Sequence, residues 1–168
     1  MYNVIAESCS AIASVALVLS FQIKNTRKMF VIQCLANLLF CINYLMFYEY
    51  TAAALMILGM FSPIILVATK GDNKYIKYSI MLVYILVGVL TYNGILSIFL
   101  TIAQLSGILA QWTYKPRLIR WVRLCASPLW LAKNINVGWF ITGAELFTFV
   151  SIVIFLIRTK KRKGSLVF

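Results

Sequence analysis

Seven stretches of apolar residues, each close to twenty long, divide this chain at about 4–23, 29–48, 51–69, 76–92, 95–113, 119–137 and 139–157. A helix needs about 20 predominantly apolar residues to cross the hydrocarbon of a bilayer. A chain of 168 residues built almost wholly from such runs has little else to fold with. The composition follows from them: 62% apolar and only 12% charged, well outside the range of a soluble domain. Two runs are weaker than the rest. The fourth is short, and Arg120, Arg123 and Lys133 interrupt the sixth, so apolar character by itself leaves six or seven spans open.

The charges decide between them. Lys24, Arg27 and Lys28 follow the first run, and Lys70, Lys74 and Lys77 follow the third. Lys115, Arg117, Arg120 and Arg123 follow the fifth, and Arg158, Lys160, Lys161, Arg162 and Lys163 follow the seventh. Fifteen of the 16 basic residues thus fall at every second connection. Basic connections stay on the cytoplasmic side, and only a count of seven keeps all of them there. The expected fold class is an all-α integral membrane protein with seven transmembrane helices, N-terminus outside and C-terminus inside. Tyr48, Tyr50, Tyr92 and Trp139 would mark the outer boundary, and Tyr75, Trp112, Tyr114 and Trp121 the inner one. The net charge of +12 is then an orientation signal. It points to the lipid bilayer as partner, with the tail able to hold anionic lipid, and not to nucleic acid. The start, MYNVIAES, has no basic n-region, so the first run is expected to remain as a membrane helix.

Displacing the sequence by ninety positions lays the first three runs on the last three without a gap. Ile12 falls on Ile102, Ala13 on Ala103, Leu19 on Leu109, Arg27 on Arg117 and Ala36 on Ala126. Identity is low, but basic loops and hairpin tips coincide. Two parallel three-helix repeats follow, 1–70 and 94–158, joined by a linker helix in 71–93 and ending in a basic cytoplasmic tail, 159–168. This is a single transmembrane domain with a 3 + 1 + 3 layout, one of the repeat arrangements used by transporters.

Polar residues inside the runs keep helical spacing. Ser97, Thr101, Gln104 and Gln111 share one face of the fifth run, and Gln33, Asn37, Cys41 and Tyr44 one face of the second. In the ninety-residue register Glu7 and Ser14 lie opposite Ser97 and Gln104, while Arg123 and Ser127 match Gln33 and Asn37. Polar atoms in hydrocarbon need partners. These faces therefore point at one another as interhelical hydrogen bonds, or at a shared water-filled cavity. The candidate solute-binding residues are Ser14, Asn37, Thr101, Gln104, Ser127 and Glu145. Ser14, Asn37, Gln104 and Ser127 are expected near mid-depth, roughly 12–15 Å from a span end.

Glu145 falls about 10 Å inside the outer boundary at 1.5 Å per residue. A lone carboxylate there costs about 2.5–3.5 kcal/mol on insertion scales, so it must be protonated, paired or wet. Lys133, Arg123 and the Ser97/Gln104 face are its candidate partners. Glu145, and less so Glu7, is a candidate proton or polar site, with structural pairing as the alternative. WLAKNINVGW (130–139) reads as the outer hairpin, with Lys133, Asn134 and Asn136 at its wet end. Pro63 and Pro128 inside the third and sixth runs are candidate hinges, or else fixed distortions.

The sequence has no histidine. Cys9, Cys34, Cys41 and Cys125 sit in apolar runs without metal-ligand spacing. No metal and no cofactor are expected. With four acidic residues and no nucleophile–base pattern, an enzyme is not expected either.

The segment from Arg123 to Glu145, with Trp130, Asn134, Gly138 and Glu145, resembles the YgjV family of small bacterial inner-membrane proteins, as does NTRKMFVIQ (25–33) with Gln33. That resemblance implies a multi-pass protein of the bacterial inner (plasma) membrane. More distantly, the 3 + 1 + 3 layout is similar to SWEET sugar transporters and other PQ-loop proteins, and to PnuC-type vitamin transporters. Phe21-Gln22 and Ala110-Gln111 stand where the PQ-loop motif would, without its prolines. The expected function is a facilitator or proton-coupled carrier of a small polar metabolite, working by alternating access between two three-helix halves. A non-transporting membrane subunit or regulator that docks a partner protein is the competing expectation. Homo-oligomerisation is compatible with either.

Overall fold

A computed structural model describes residues 2–23, 25–69, 73–135 and 137–164. Among the described residues the regular structure is entirely helical. The helices are α1 (Tyr2–Gln22), α2 (Thr26–Met46), α3 (Tyr50–Ala68), α4 (Lys74–Leu90), α5 (Ile95–Gln111), α6 (Pro116–Asn134) and α7 (Trp139–Gly164). Each apolar run becomes one helix. Four of them, at Val4–Gln22, Thr26–Met46, Tyr50–Ala68 and Ile141–Arg158, are long and apolar enough to cross a membrane. α5 is apolar but has 17 residues, about 26 Å of helix.

Local chemistry sets the breaks. The side chains of Asn25 and Asn73 each accept two backbone N–H groups at the starts of α2 and α4, satisfying donors that a first turn leaves open. Pro116 opens α6, where a missing N–H costs nothing. Gly94 takes φ 82° in the turn into α5, a conformation that L side chains resist.

The distribution of polarity is inverted relative to a soluble protein. Leu35, Leu38, Ile57, Ile64, Leu86, Val89 and Ile102 point outward, whereas Ser20, Gln33, Asn43, Ser62, Arg120, Lys133 and Glu145 are buried. With hydrocarbon outside, polar atoms can find partners only inside. Buried alanines at 13, 36, 52, 53, 103 and 126 let helix backbones approach closely.

The packing order is a closed ring. α1 packs against α2 and α7, α2 against α3, α3 against α5, α5 against α6, and α6 against α7. α4 lies outside the ring against α3 and α5, with Tyr84 and Gly88 as its buried residues. A Cβ on Gly88 would meet Thr101 Oγ1 at 2.5 Å, so the missing side chain is what lets α4 seat on α5. Pro63 and Pro128 lie within α3 and α6, each of which continues past its proline as one helix.

One expectation needs correction. WLAKNINVGW is not a wet hairpin from Lys133 onward: α6 runs to Asn134, and both side chains are buried. Lys133 Nζ reaches Glu49 Oε2 at 2.5 Å, and Asn134 Oδ1 accepts the Tyr44 hydroxyl at 2.8 Å. Both residues tolerate burial because α2 and its following turn bring partners to them. Asn136 lies outside the described residues.

Candidate functional site

Inside the ring is a cavity of about 80 Å³ to whose wall every helix contributes. At about 30 Å³ per water, it has room for roughly two to three waters. α2 supplies Gln33, Asn37 and Tyr44, and α3 supplies Gly59 and Ser62. Gln104 and Gln111 come from α5, Arg123, Trp130 and Asn134 from α6, and Glu145 from α7. α4 reaches in from outside with Tyr84, whose hydroxyl lies 3.3 Å from Ser62 Oγ.

The charged centre is Arg123 with Glu145. Both carboxylate oxygens of Glu145 accept from the same nitrogen, Arg123 Nη2, at 2.9 and 2.7 Å. Glu145 is only 5% exposed. The guanidinium carbon of Arg123 also sits 5.7 Å from the centre of the Trp130 ring, within cation–π range. Pairing answers the insertion cost of the carboxylate. It also means that removing either partner leaves a buried charge alone, a loss of about 3–5 kcal/mol.

Two amides face each other about midway along α2 and α5. A Cβ on Gly59 would lie 3.0 Å from Asn37 Nδ2 and 3.3 Å from Gln104 Nε2. The glycine in α3 thus makes room for an amide from α2 and another from α5. Gln104 Nε2 donates weakly to Leu55 O, at 3.4 Å, and both amides remain partly accessible.

The two ends of the cavity differ. At one end Tyr44, Trp130 and Asn134 are all at most 2% exposed. The Tyr44 and Trp130 rings lie 6.2 Å apart, and the Tyr44–Asn134 hydrogen bond closes the gap between α2 and α6. Lys133–Glu49 lies beyond it. Toward the basic connections, Gly107, Gln111, Val122 and Arg123 stay partly accessible. There Arg120 donates to Phe21 O and Ile23 O, each at 2.9 Å, and lies 3.9 Å over the Phe155 ring. It satisfies carbonyls at the end of α1, where a cation is also favoured by the helix dipole.

Of the candidates read from the sequence, Asn37, Gln104 and Glu145 line the cavity together. Three buried ones do not. Ser14 Oγ turns back to Ser10 O at 2.5 Å, and Thr101 Oγ1 to Ser97 O at 2.8 Å while packing on Gly88. Ser127 Oγ is buried without a partner beside Ala126, which does line the wall. Glu7, on α1, makes no hydrogen bond or ion pair among the described residues and is not on the wall. Sequence reasoning left Tyr84, Trp130 and Asn134 out of the site. For Tyr84 the signal was present: it is the one hydroxyl-bearing residue in the apolar stretch 80–90.

A family described as a bacterial inner membrane protein, Imp-YgjV, matches residues 4–163. The chain belongs to that family. It is accordingly a multi-pass protein of the bacterial inner membrane, consistent with its several long apolar helices. No curated protein and no solved structure matches it significantly, so the chemistry of the family member in hand rests on its own residues.

Proposed function

We propose that the chain is a carrier for a small polar metabolite, which binds between two three-helix halves and is passed across by alternating access. The observation that carries this reading is the cavity itself: Asn37, Gln104 and the Arg123–Glu145 pair converge on one space inside the ring, sealed at the Tyr44–Asn134 end and partly accessible at the other. Interhelical hydrogen bonds alone would leave no such space, because polar side chains that serve only as links are consumed by one another.

Seven transmembrane spans with the N-terminus outside and the C-terminus inside fit the basic connections. The repeat has further support. A shift of ninety positions carries α1 to α5, α2 to α6 and α3 to α7, and the ring's packing order maps onto itself. Leu17 and Gly107, Phe21 and Gln111, Gln33 and Arg123, Phe40 and Trp130, and Tyr44 and Asn134 are all ninety apart and all line the cavity. Tyr44 and Asn134 even bond each other, as equivalent positions beside a two-fold axis along the membrane normal would. In this frame α4 is the linker, and the state described is closed toward the outside. Transport requires that the Tyr44–Asn134 contact open as the inner side closes. No catalytic step is assigned to the protein.

Uptake into proteoliposomes tests the reading, with solute binding followed by thermal unfolding in detergent. A solute at 100 times its dissociation constant adds about 2.7 kcal/mol to stability. Asn37→Ala, Gln104→Ala and Glu145→Gln should each reduce uptake and binding. Unchanged uptake in all three would remove the site. A stoichiometric protein partner with no solute binding would favour a non-transporting subunit.

A further inference from the structure

We infer that the cavity takes a small zwitterionic solute, of the size and charge pattern of a small α-amino acid, with its carboxylate on Arg123 and Trp130 and its ammonium on Glu145. This deepens the carrier reading and rests on it for the site.

Two buried N–H donors on the cavity wall have no partner among the described residues: Arg123 Nε and Trp130 Nε1. The two side chains are neighbours, with the guanidinium 5.7 Å from the indole ring. Trp130 is 1% exposed, and a donor left unmade at such a site is costly. Both are donors, so an occupant that satisfies them must bring an acceptor. Glu145 leaves Arg123 Nε free because it places both oxygens on Nη2. Nε has almost no accessible surface in the state described, so a second carboxylate reaches it beside the first only as the surrounding side chains shift. A carboxylate has about four lone-pair positions, so Glu145 in turn keeps capacity for a donor from the solute.

Charge and size narrow the class. The wall carries one cation and one anion, Arg123 and Glu145, among neutral amides, hydroxyls and rings. A solute with net charge would leave that charge uncompensated in a medium of low dielectric. A zwitterion leaves none and meets each wall charge with its opposite. The volume of about 80 Å³ is only about two to three times the roughly 30 Å³ share of one water, so a small solute is favoured. Glycine and alanine are the smallest solutes of this class, whereas a hexose is far larger than this space.

Binding to the purified full chain in detergent would be measured for L-alanine, L-alaninamide, propionate and glucose, with flux of the same compounds in proteoliposomes. Alanine is expected to bind at least tenfold more tightly than the other three. Trp130→Phe keeps the ring and removes the N–H, and should weaken alanine about threefold to tenfold, the worth of one hydrogen bond. Glu145→Gln should weaken alanine while narrowing its advantage over propionate. Glucose binding as well as alanine, no binding of alanine, or alanine binding untouched by both variants would each overturn the inference. Alanine binding without flux would keep the inference and remove the carrier reading. Flux of glucose lost in Asn37→Ala would do the reverse.

Discussion

Arg123–Glu145 and Lys133–Glu49 are ion pairs whose cations both belong to α6, ten residues or about 15 Å apart along its axis. Their exposures are inverted. In the first the acid is sealed, 5% against 19% for the arginine, and in the second the base is, 7% against 18% for the glutamate. Lys133 stands in the last turn of α6, and Glu49 immediately precedes α3. Each charge therefore meets the favourable end of a helix dipole, and the pair is a clasp between helix ends. Arg123 and Glu145 lie within their helices, beyond the first and last turns, where the dipole gives little. They have one another, and Arg123 Nε has no partner among the described residues. One pair joins helix ends; the other lines the cavity.

The largest expected effect tests that contrast directly. Arg123→Met should cost about 3–5 kcal/mol, as the lone Glu145 carboxylate stays buried. The double variant Arg123→Met/Glu145→Leu should recover most of it while abolishing uptake. Additive losses in chemical denaturation would show that the two charges are not coupled. Next, Gly59→Ala should press its methyl on the Asn37 and Gln104 amides and reduce solute binding, with little net change in stability because alanine favours the helix by about 1 kcal/mol; unchanged binding would take those amides out of the site. Tyr44→Phe follows, at about 1–3 kcal/mol, because Asn134 Oδ1 loses its donor in a buried setting. A thiol reagent applied from outside should then react faster with a cysteine placed at residue 40, and an unchanged rate would argue against Tyr44 as the closure. Smallest is Lys133→Met/Glu49→Gln, about 0–1 kcal/mol, because removing both charges of a largely buried pair leaves neither uncompensated. Unchanged uptake is also expected here, and uptake lost as in Arg123→Met/Glu145→Leu would erase the distinction between the two pairs.

Much of the site could be read from helical spacing. Gln33, Asn37 and Tyr44 recur on one face of α2, and all three line the cavity. The same rule placed Thr101 with Gln104, yet Thr101 meets α4 instead. A face of α5 broad enough to hold both residues is shared between the ring interior and α4. Spacing fixes the direction of a side chain from its own axis and does not say which helix stands there. Lys133 and Asn134 were misread for the same reason: next to a turn, polarity looks like solvation unless the partner is known.

The sequence by itself determined the helices, their approximate ends and the inward placement of polar atoms. Apolar length, asparagine caps and the cost of unpaired groups in hydrocarbon act locally and admit few alternatives. Tertiary structure alone decided that Glu145 meets Arg123 and not Lys133, that Tyr44 meets Asn134, and that Gly59 opens a space between two amides. These pairings join positions far apart in the chain, and they depend on the order in which the helices close the ring. That order is set by how small-residue surfaces fit one another, a property of pairs of helices rather than of any one of them.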